Sequence, residues 1–379
     1  MNIIKGGVTK PLGFKANGLH CGIKRSGKPD LSLIYSGKLA VAAGVFTKNS
    51  VKAAPLVVSA KHLKGQQAQA IISNSGNANC FTGECGLAYA RQTTEIIAQL
   101  LSIKTQHVLV ASTGIIGKPL PFQNIADASP ILVEGLSKDK GQDAARGIMT
   151  TDTFAKEIAV QVNLGGKTVT LGACAKGSGM IQPDMATMLA YVTTDAAITP
   201  KMLNAALKIA TEKSFNCITV DGCMSTNDMA VVLANGLAGN KMISTASADF
   251  KKFAAALTFV CLDMAKKIVL DGEGATKFIE VHVAGAKTVS QAKQAAMAIA
   301  NSLLVKTAAF GSNPNWGRVA AAVGSLGLKV TEKTLKIKFS SFAKKNISIN
   351  VDLNLGPKSA TVFTSDLSYE YVRINGAYN

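Results

Sequence analysis

The stretch "KGSGMIQPDMATMLA" at 176–190 combines the residue types that a self-activating nucleophile needs. A threonine hydroxyl is a weak nucleophile at neutral pH until a nearby base takes its proton. The α-amine of Thr187, once freed from its peptide bond to Ala186, is such a base and titrates near pH ~8. One cut between these two residues would supply the base and the nucleophile together.

The residues before that junction could prepare the cut. The hydroxyl of Thr187 can attack the Ala186 carbonyl through a five-membered ring, and water then hydrolyses the resulting ester. The attack needs a strained or freely bending backbone, which Gly177, Gly179 and Pro183 could provide. The alternative is a turn that leads into a strand, with Thr187 as an ordinary β-branched strand residue.

Other kinds of chemistry have weaker support in the sequence. No GxSxG elbow occurs, and "GIIGK" at 114–118 has its glycines too close together for a Walker loop and is followed by Pro119. The seven cysteines are widely spaced without a CxxC pair, and the four histidines are far apart. We therefore expect reduced thiols, no metal site and no resident cofactor.

The formal net charge of +18 raises the question of a nucleic-acid partner. Lysines and arginines occur singly or as pairs, and Trp316 is the only tryptophan, so no aromatic and basic stripe is present to stack bases. A generally basic surface that favours anionic small substrates is the better interpretation, and we expect no nucleic-acid partner.

The sequence also bears on location. No apolar run approaches the ~18 residues of a membrane span, and the N-terminal "MNIIKGGVTK" lacks the apolar core of a signal peptide. We expect a cytoplasmic protein that does not bind membranes.

Helices and strands must position these residues. From the possible N-cap Ser247, apolar residues recur at helical spacing until Gly272, so "DGEG" at 271–274 is predicted to be a helix-to-strand turn. Earlier in the chain, strands and helical patterns alternate. We assign strands to 55–60 and 69–76 and a helix to 86–101.

The last hundred residues show the two-residue period of half-buried strands. Apolar residues alternate with polar ones over 335–339 and 347–355, and the same period sets His282 on the face opposite Ile279, Val281 and Val283. The pattern predicts an α+β class built in layers. A change in composition suggests a domain boundary that separates residues 1–278 from 279–379.

Over nearly its whole length the chain resembles the ornithine acetyltransferase (glutamate N-acetyltransferase) family of arginine biosynthesis. The opening stretch is similar to that family's cleavage motif, "KGxGMxxPxMATML". Seven further segments match in family order: "NSGNAN" (74–79), "ASTGIIG" (111–117), "MTTDT" (149–153), "ITVDGCMSTND" (218–228), "DGEGATKF" (271–278), "NPNWGR" (313–318) and "YVRINGAY" (371–378).

The resemblance implies a fold and a reaction. The fold would be a layered α/β sandwich like that of N-terminal-nucleophile hydrolases, with a smaller C-terminal α/β domain. The precursor would cut itself between Ala186 and Thr187 into an alpha chain, 1–186, and a beta chain, 187–379, which stay together as an α2β2 heterotetramer. Thr187 would take the acetyl group of N2-acetylornithine and pass it to glutamate.

The resemblance also implies roles for single residues. The hydroxyl of Thr113 and the backbone N–H of Gly114 would form the oxyanion hole. The positions that match substrate-binding residues are Thr150, Lys176, Thr187, Glu273 and Asn375. Lys176 would pair with a substrate carboxylate and Glu273 would face the ammonium end.

The chain departs from the family pattern at a few positions. Members continue past "INxxY" to a Ser or Thr, and in this chain either Asn379 or its terminal carboxylate takes over that contact or the contact is missing. Cys223 and Asn313 stand where Asp is frequent, and no role is assigned to either.

Two other functions remain open at this point. A related self-cleaving amidohydrolase or aminopeptidase would pass the acyl group to water instead of glutamate, and a basic binding protein would remain an uncut chain. The sequence does not decide whether acetyl-CoA also serves as a donor.

Overall fold

A computed structural model describes residues 1–182 and 188–377 of the chain. In chain order, the strands β1 to β13 are Asn2–Ile4, Phe14–Leu19, Leu31–Phe46, Gln67–Asn77, Val108–Ile115, Lys156–Leu164, Lys167–Lys176, Leu189–Thr194, Met229–Ala234, Phe278–Ala286, Lys336–Phe339, Asn346–Asp352 and Lys358–Ser365. The helices α1 to α10 are Ala54–His62, Gly83–Leu101, Phe122–Glu134, Gly141–Gly147, Pro200–Glu212, Ala248–Leu270, Val289–Asn301, Leu303–Phe310, Trp316–Gly324 and Tyr369–Gly376.

The first compact unit comprises Met1–Gly177, Pro183–Asn216 and Met224–Ala265. Its sheet has the strand order β1-β6-β7-β8-β9-β3-β4-β5, and β2 pairs with β3 off this path. The long strand β3 pairs with β4 and also, through Val41–Phe46, with β9. Strands β8 and β9 run parallel to each other and lie between β7 and β3. They occupy the middle of the sheet although they come last in sequence.

This sheet is apolar on both faces. Leu33 packs with residues of α1, α2 and α3, while its neighbour Ile34 belongs to a second core that includes Ala144 of α4 and Tyr191 of β8. Successive strand residues point to opposite faces, which explains how adjacent residues enter different cores. Every residue of β8 and β9 is buried, as expected for central strands of a covered sheet.

The second compact unit comprises Ser178–Gln182, Cys217–Cys223 and Lys266–Asn379. Its sheet has the order β11-β12-β10-β13. Ile279, Val281 and Val283 are fully buried and pack with α7, α8 and α9. His282 is on the other face, with its Nδ1 3.0 Å from the Oγ1 of Thr361. The predicted alternation in this segment is confirmed.

Most of the predicted elements are confirmed. Helix α6 spans the predicted segment, β4 covers 69–76, and α2 covers 86–101. The strand assigned to 55–60 is wrong, because this segment lies in helix α1. Pro55 stands in the first turn, where its fixed φ suits a helix, and the buried Pro55, Leu56, Val58 and Ser59 follow a helical repeat.

The α+β class is confirmed, since both units combine a sheet with helices. The boundary between 278 and 279 stays a prediction. Within 1–182 and 188–377, none of the helices has the length and apolar character needed to cross a membrane.

Candidate active site

Thr113 and Gly114 lie at the end of β5, where this strand runs parallel to β4. Thr113 is opposite Ser75 and Gly114 is opposite Gly76. Gly114 has a φ of +131°, and a Cβ at this position would lie 2.3 Å from the carbonyl carbon of Gly76. Only glycine fits such a close approach of two backbones. The two predicted oxyanion-hole residues therefore share a strand end whose geometry is tightly constrained.

A network of amide side chains fixes this strand end. Ser112 Oγ donates to Asn74 Oδ1 at 2.5 Å, and Asn74 Nδ2 donates to the Asn77 carbonyl at 2.8 Å. Asn227 Nδ2 donates to the carbonyls of Ala78 at 2.6 Å and Ser112 at 2.8 Å. These asparagines lie in two of the quoted motifs, yet sequence reasoning assigned them no role.

The segment that contains Asn227 also contacts the chain just after the predicted nucleophile. The N–H of Met229 donates to the carbonyl of Met188 at 2.9 Å, and Leu189 pairs with Met229 at the start of β8 and β9. Thr187 and Ala186 themselves lie outside the described residues. Residues 227–229 thus connect the Thr113 strand end to the residue that follows Thr187.

A second cluster is built around Asp152. Its carboxylate accepts hydrogen bonds from Lys156 Nζ at 2.6 Å, the Thr150 N–H at 2.9 Å and the Gly177 N–H at 2.8 Å. Lys176 Nζ lies 3.5 Å from Thr150 Oγ1. The structure therefore brings together two of the predicted substrate-binding residues, Thr150 and Lys176, on a buried ionic scaffold that sequence reasoning missed.

The charges of this cluster maintain Asp152 as an anion. Burial alone would raise the pKa of Asp152, but the nearby Lys156 and Lys176 more than offset it and hold that pKa at about 2. The side chains of Asp152 and Lys156 are both fully buried. Lys176 is likewise buried, at 9% exposure. A cation held in such a place suits recognition of a substrate carboxylate.

Sequence reasoning also missed a loop beside this cluster. The buried carboxylate of Asp30 accepts from the N–H groups of Cys21, Ile23 and Lys24 at 2.6 to 2.9 Å. Lys24 Nζ in turn donates to the Met149 carbonyl at 2.6 Å, next to Thr150. Burial lowers the pKa of Lys24 to about 8. No local motif predicts the contact of Lys24 with Met149, because these residues are 125 positions apart.

In the second unit, the structure brings together Glu273 and Asn375. Asn375 Nδ2 donates to Glu273 Oε2 at 2.8 Å, and the Glu273 N–H donates to the carbonyl of Ser178 at 3.1 Å. A Cβ on Gly179 would meet the Glu273 carboxylate at 2.4 Å, so this carboxylate packs directly against the glycine. Only 7% of Glu273 is exposed.

Three further positions were singled out in the sequence as departures from the family pattern. Asn379 lies outside the described residues. Cys223 is exposed, and its N–H donates to Asp221 Oδ1 at 3.1 Å. Asn313 is exposed, and its N–H donates to the carbonyl of Ala308, near the end of α8. Across 1–182 and 188–377, no cluster of three or more His, Cys, Asp or Glu side chains could hold a metal ion.

Comparison with known proteins gives one consistent result. Residues 15–379 match the ArgJ family. The arginine biosynthesis bifunctional protein ArgJ of Symbiobacterium thermophilum is 47% identical over 400 residues, with all of both chains covered. The protein of the same description from Caldanaerobacter subterraneus subsp. tengcongensis is 47% identical over 402 residues, again with full coverage.

Solved structures include a crystal structure of ornithine acetyltransferase from Mycobacterium tuberculosis in complex with ornithine. It is 38% identical and covers 48% of this chain and 98% of its own, with a TM-score of 0.46. The sequence matches, which run from end to end, are the stronger comparison.

Proposed function

Because this chain belongs to the ArgJ family, we propose that it transfers the acetyl group of N2-acetyl-L-ornithine to L-glutamate, giving L-ornithine and N-acetyl-L-glutamate. The chain is an acyltransferase of arginine biosynthesis. The observation that carries this conclusion is 47% identity to bifunctional ArgJ relatives over the full length of both proteins. Ornithine in the complex of the Mycobacterium tuberculosis protein supports an amino-acid substrate.

Thr187 is the proposed nucleophile. Self-cleavage between Ala186 and Thr187 frees the α-amine that takes the proton of the Thr187 hydroxyl. The hydroxyl oxygen attacks the acetyl carbonyl of acetylornithine, the amide bond breaks, and ornithine leaves with the proton. The amine of glutamate then attacks the acetyl ester and restores the free threonine. Two acyl transfers, from the amide to the threonine ester and from the ester to the glutamate amine, predict ping-pong kinetics.

Both steps pass through a tetrahedral oxyanion that needs hydrogen-bond donors. The Thr113 hydroxyl and the Gly114 N–H are the proposed donors, and their rigid strand end supports this role, because donors that do not move on reaction stabilise charge best. The link from residues 227–229 to both Ser112 and Met188 supports a fixed relation between this strand end and the start of β8.

The substrate ends differ in charge, and so do the proposed binding residues. Lys176 and Thr150, on the Asp152 scaffold, would bind the α-carboxylate of either substrate. Glu273, which accepts from Asn375, would face the ammonium group of acetylornithine. We assign a further contact to Asn379 from the resemblance alone.

The sheet of the first unit supports the proposal that the cleaved chains stay together. A cut before Thr187 would place β1 to β7 in one chain and β8 and β9 in the other, yet β8 pairs with β7 and β9 pairs with β3. We propose that two such pairs form an α2β2 heterotetramer in the cytoplasm. The enzyme would need no resident cofactor, and acetyl-CoA would be an alternative acetyl donor.

The proposal is tested on purified wild-type protein and on Thr187→Val, which keeps the shape of the side chain and deletes its oxygen. Wild type should appear as chains 1–186 and 187–379 by denaturing mass spectrometry and should transfer acetyl from acetylornithine to glutamate. The variant should stay whole and inactive. A whole and active wild-type chain would contradict the mechanism.

The same assay separates the alternatives. Acetylornithine hydrolysis that does not depend on glutamate would favour the amidohydrolase or aminopeptidase, in which water takes the acyl group. Acetyl-CoA supplied in place of acetylornithine tests the second donor. Formation of N-acetylglutamate without acetylornithine would establish it.

A further inference from the structure

The segment Ser178–Gln182 belongs to the second unit, and Gln182 is the last residue that the structure describes before 188. It makes several hydrogen bonds within that unit. Ser178 Oγ donates to the carbonyl of Asp271 at 2.6 Å. The carbonyl of Ile181 accepts from the Val220 N–H at 2.7 Å. The side-chain carbonyl of Gln182 accepts from Asn301 at 2.7 Å. Both backbone and side chains therefore fix the course of this segment.

The carboxylate of Asp221 binds two successive N–H groups of this segment. Its Oδ2 accepts from the N–H of Met180 at 2.6 Å and its Oδ1 accepts from the N–H of Ile181 at 2.9 Å. Met180 has a φ of +57°, a left-handed conformation that is unfavourable for a residue with a Cβ. Two successive N–H groups that converge on one carboxylate form an anion-binding nest, and the charge-assisted bonds offset that cost.

Asp221 is itself held in place. Its Oδ1 also accepts from the Cys223 N–H at 3.1 Å. Burial and the Asp221 charge raise the pKa of Tyr371 in α10, so the hydroxyl near this carboxylate keeps its proton. The carboxylate is thus held by its own loop.

We propose that Asp221 is a positioning residue for self-cleavage, since it fixes the backbone of Met180 and Ile181 and so sets the direction in which the chain enters the bond to be cut. This inference rests on the proposed function. Attack on a neighbouring carbonyl depends steeply on geometry, and a displacement of ~1 Å can cost ~10²-fold in rate. An anchored entry segment limits that displacement.

The test uses Asp221→Ala and a matched control in the same unit. Asp366 likewise accepts from two successive backbone N–H groups, those of Thr276 and Lys277, at 2.8 and 2.9 Å, and also from the Thr276 hydroxyl. Asp366→Ala therefore removes a carboxylate that binds two successive N–H groups and leaves the bonds of Asp221 to Met180 and Ile181 in place. Precursor synthesised in a cell-free system is followed by gel as it is cut.

We expect Asp221→Ala to slow cutting by roughly 10- to 100-fold, while Asp366→Ala cuts within a few fold of wild type. Asp221→Asn, which keeps one acceptor oxygen but turns an NH2 towards the second N–H, should be intermediate and also serves if the alanine variant fails to fold. Thermal midpoints in a Thr187→Val background compare the stability of the two alanine variants without any cutting.

Two results would overturn the inference alone: wild-type rates in both Asp221 variants, or equal slowing by Asp366→Ala, which would mean that cutting only follows stability. A wild-type chain that is never cut would instead overturn the self-cleavage on which the inference depends. The two failures are therefore distinguishable.

Discussion

At the scale of single residues, the site depends on a buried ion pair that no substrate needs to contact. Asp152 bonds to Lys156 and to the N–H groups of Thr150 and Gly177, so one carboxylate orients the proposed binding residue Thr150 and the neighbour of the other, Lys176. Removing one partner of such a pair typically costs about 3–5 kcal/mol, because it leaves the other charge buried and unpaired. We therefore expect the scaffold to be sensitive to substitution of either Asp152 or Lys156.

This scaffold predicts a specific sensitivity to acid. The pKa of Asp152 is held at about 2, below its ordinary value of 3.8, so the ionised form stabilises the fold above pH ~4 and that contribution, about 2 kcal/mol, is lost as the pH falls towards 2. Between pH 4.5 and 2.5, the midpoint temperature of thermal unfolding should fall more steeply for wild type than for Asp152→Asn. Parallel curves would contradict the assignment.

At the scale of elements, the parallel ends of β4 and β5 approach so closely that one side-chain carbon would separate them. A Cβ on Gly114 would lie 2.3 Å from the carbonyl carbon of Gly76. A Cβ on Gly117, which is also at positive φ, would have no atom within 4 Å. Both positions disfavour a Cβ on conformational grounds. Only the first adds a backbone collision.

This difference gives a matched pair of variants. Gly114→Ala should push β4 and β5 apart, displace the proposed oxyanion donors and lower kcat by roughly 10²–10³-fold. Gly117→Ala should keep turnover within a few fold, since its strain is local. Steady-state acetyl transfer per mole of cleaved chain measures both, and equal loss in the two variants would argue that backbone strain alone is responsible.

The elements also show what the sequence could predict. The two-residue period around His282 and the helical repeat before Gly272 are local signals, and both elements are confirmed. At 55–60 a short apolar run did not distinguish a strand from a helix, and Pro55 in a first helical turn was the missed signal. Length and flanking residues decide such runs better than composition does.

The candidate site likewise contains some features that the sequence predicted and others that it did not. The family resemblance assigned Thr150 and Lys176 to substrate binding, and the structure places Lys176 Nζ 3.5 Å from Thr150 Oγ1, while their role stays a prediction. The contact of Lys24 with Met149 and that of Asn227 with Ser112 were not predicted, because they join residues 125 and 115 positions apart. The family motifs contain both the proposed reacting residues and the asparagines Asn74 and Asn227, but only the fold shows which contacts those asparagines make.

At the scale of the whole molecule, the proposed cut would divide a chain whose sheet is interleaved. Strands β8 and β9 would belong to the second piece, yet they fill the middle of the first piece's sheet. Separating the pieces would expose the edges of β7 and β3 together with the apolar faces of both buried strands. Hydrogen bonding and burial both oppose dissociation.

We therefore predict that chains 1–186 and 187–379 remain bound after cutting. They should elute together in native buffer, appear as one complex in native mass spectrometry, and separate only when a denaturant is added. The uncut Thr187→Val chain provides the reference for the elution volume of a single protomer and its assemblies. Folded, separate pieces in native buffer would contradict the interleaved arrangement.

The interleaved sheet also has a genetic consequence. If the middle strands are already in place when the bond breaks, the two chains cut from one polypeptide stay paired with each other. Chains from different molecules are then not exchanged. A cell with two defective alleles, one damaged in each half, would then gain no working enzyme by exchange between them. Intragenic complementation should fail within a protomer.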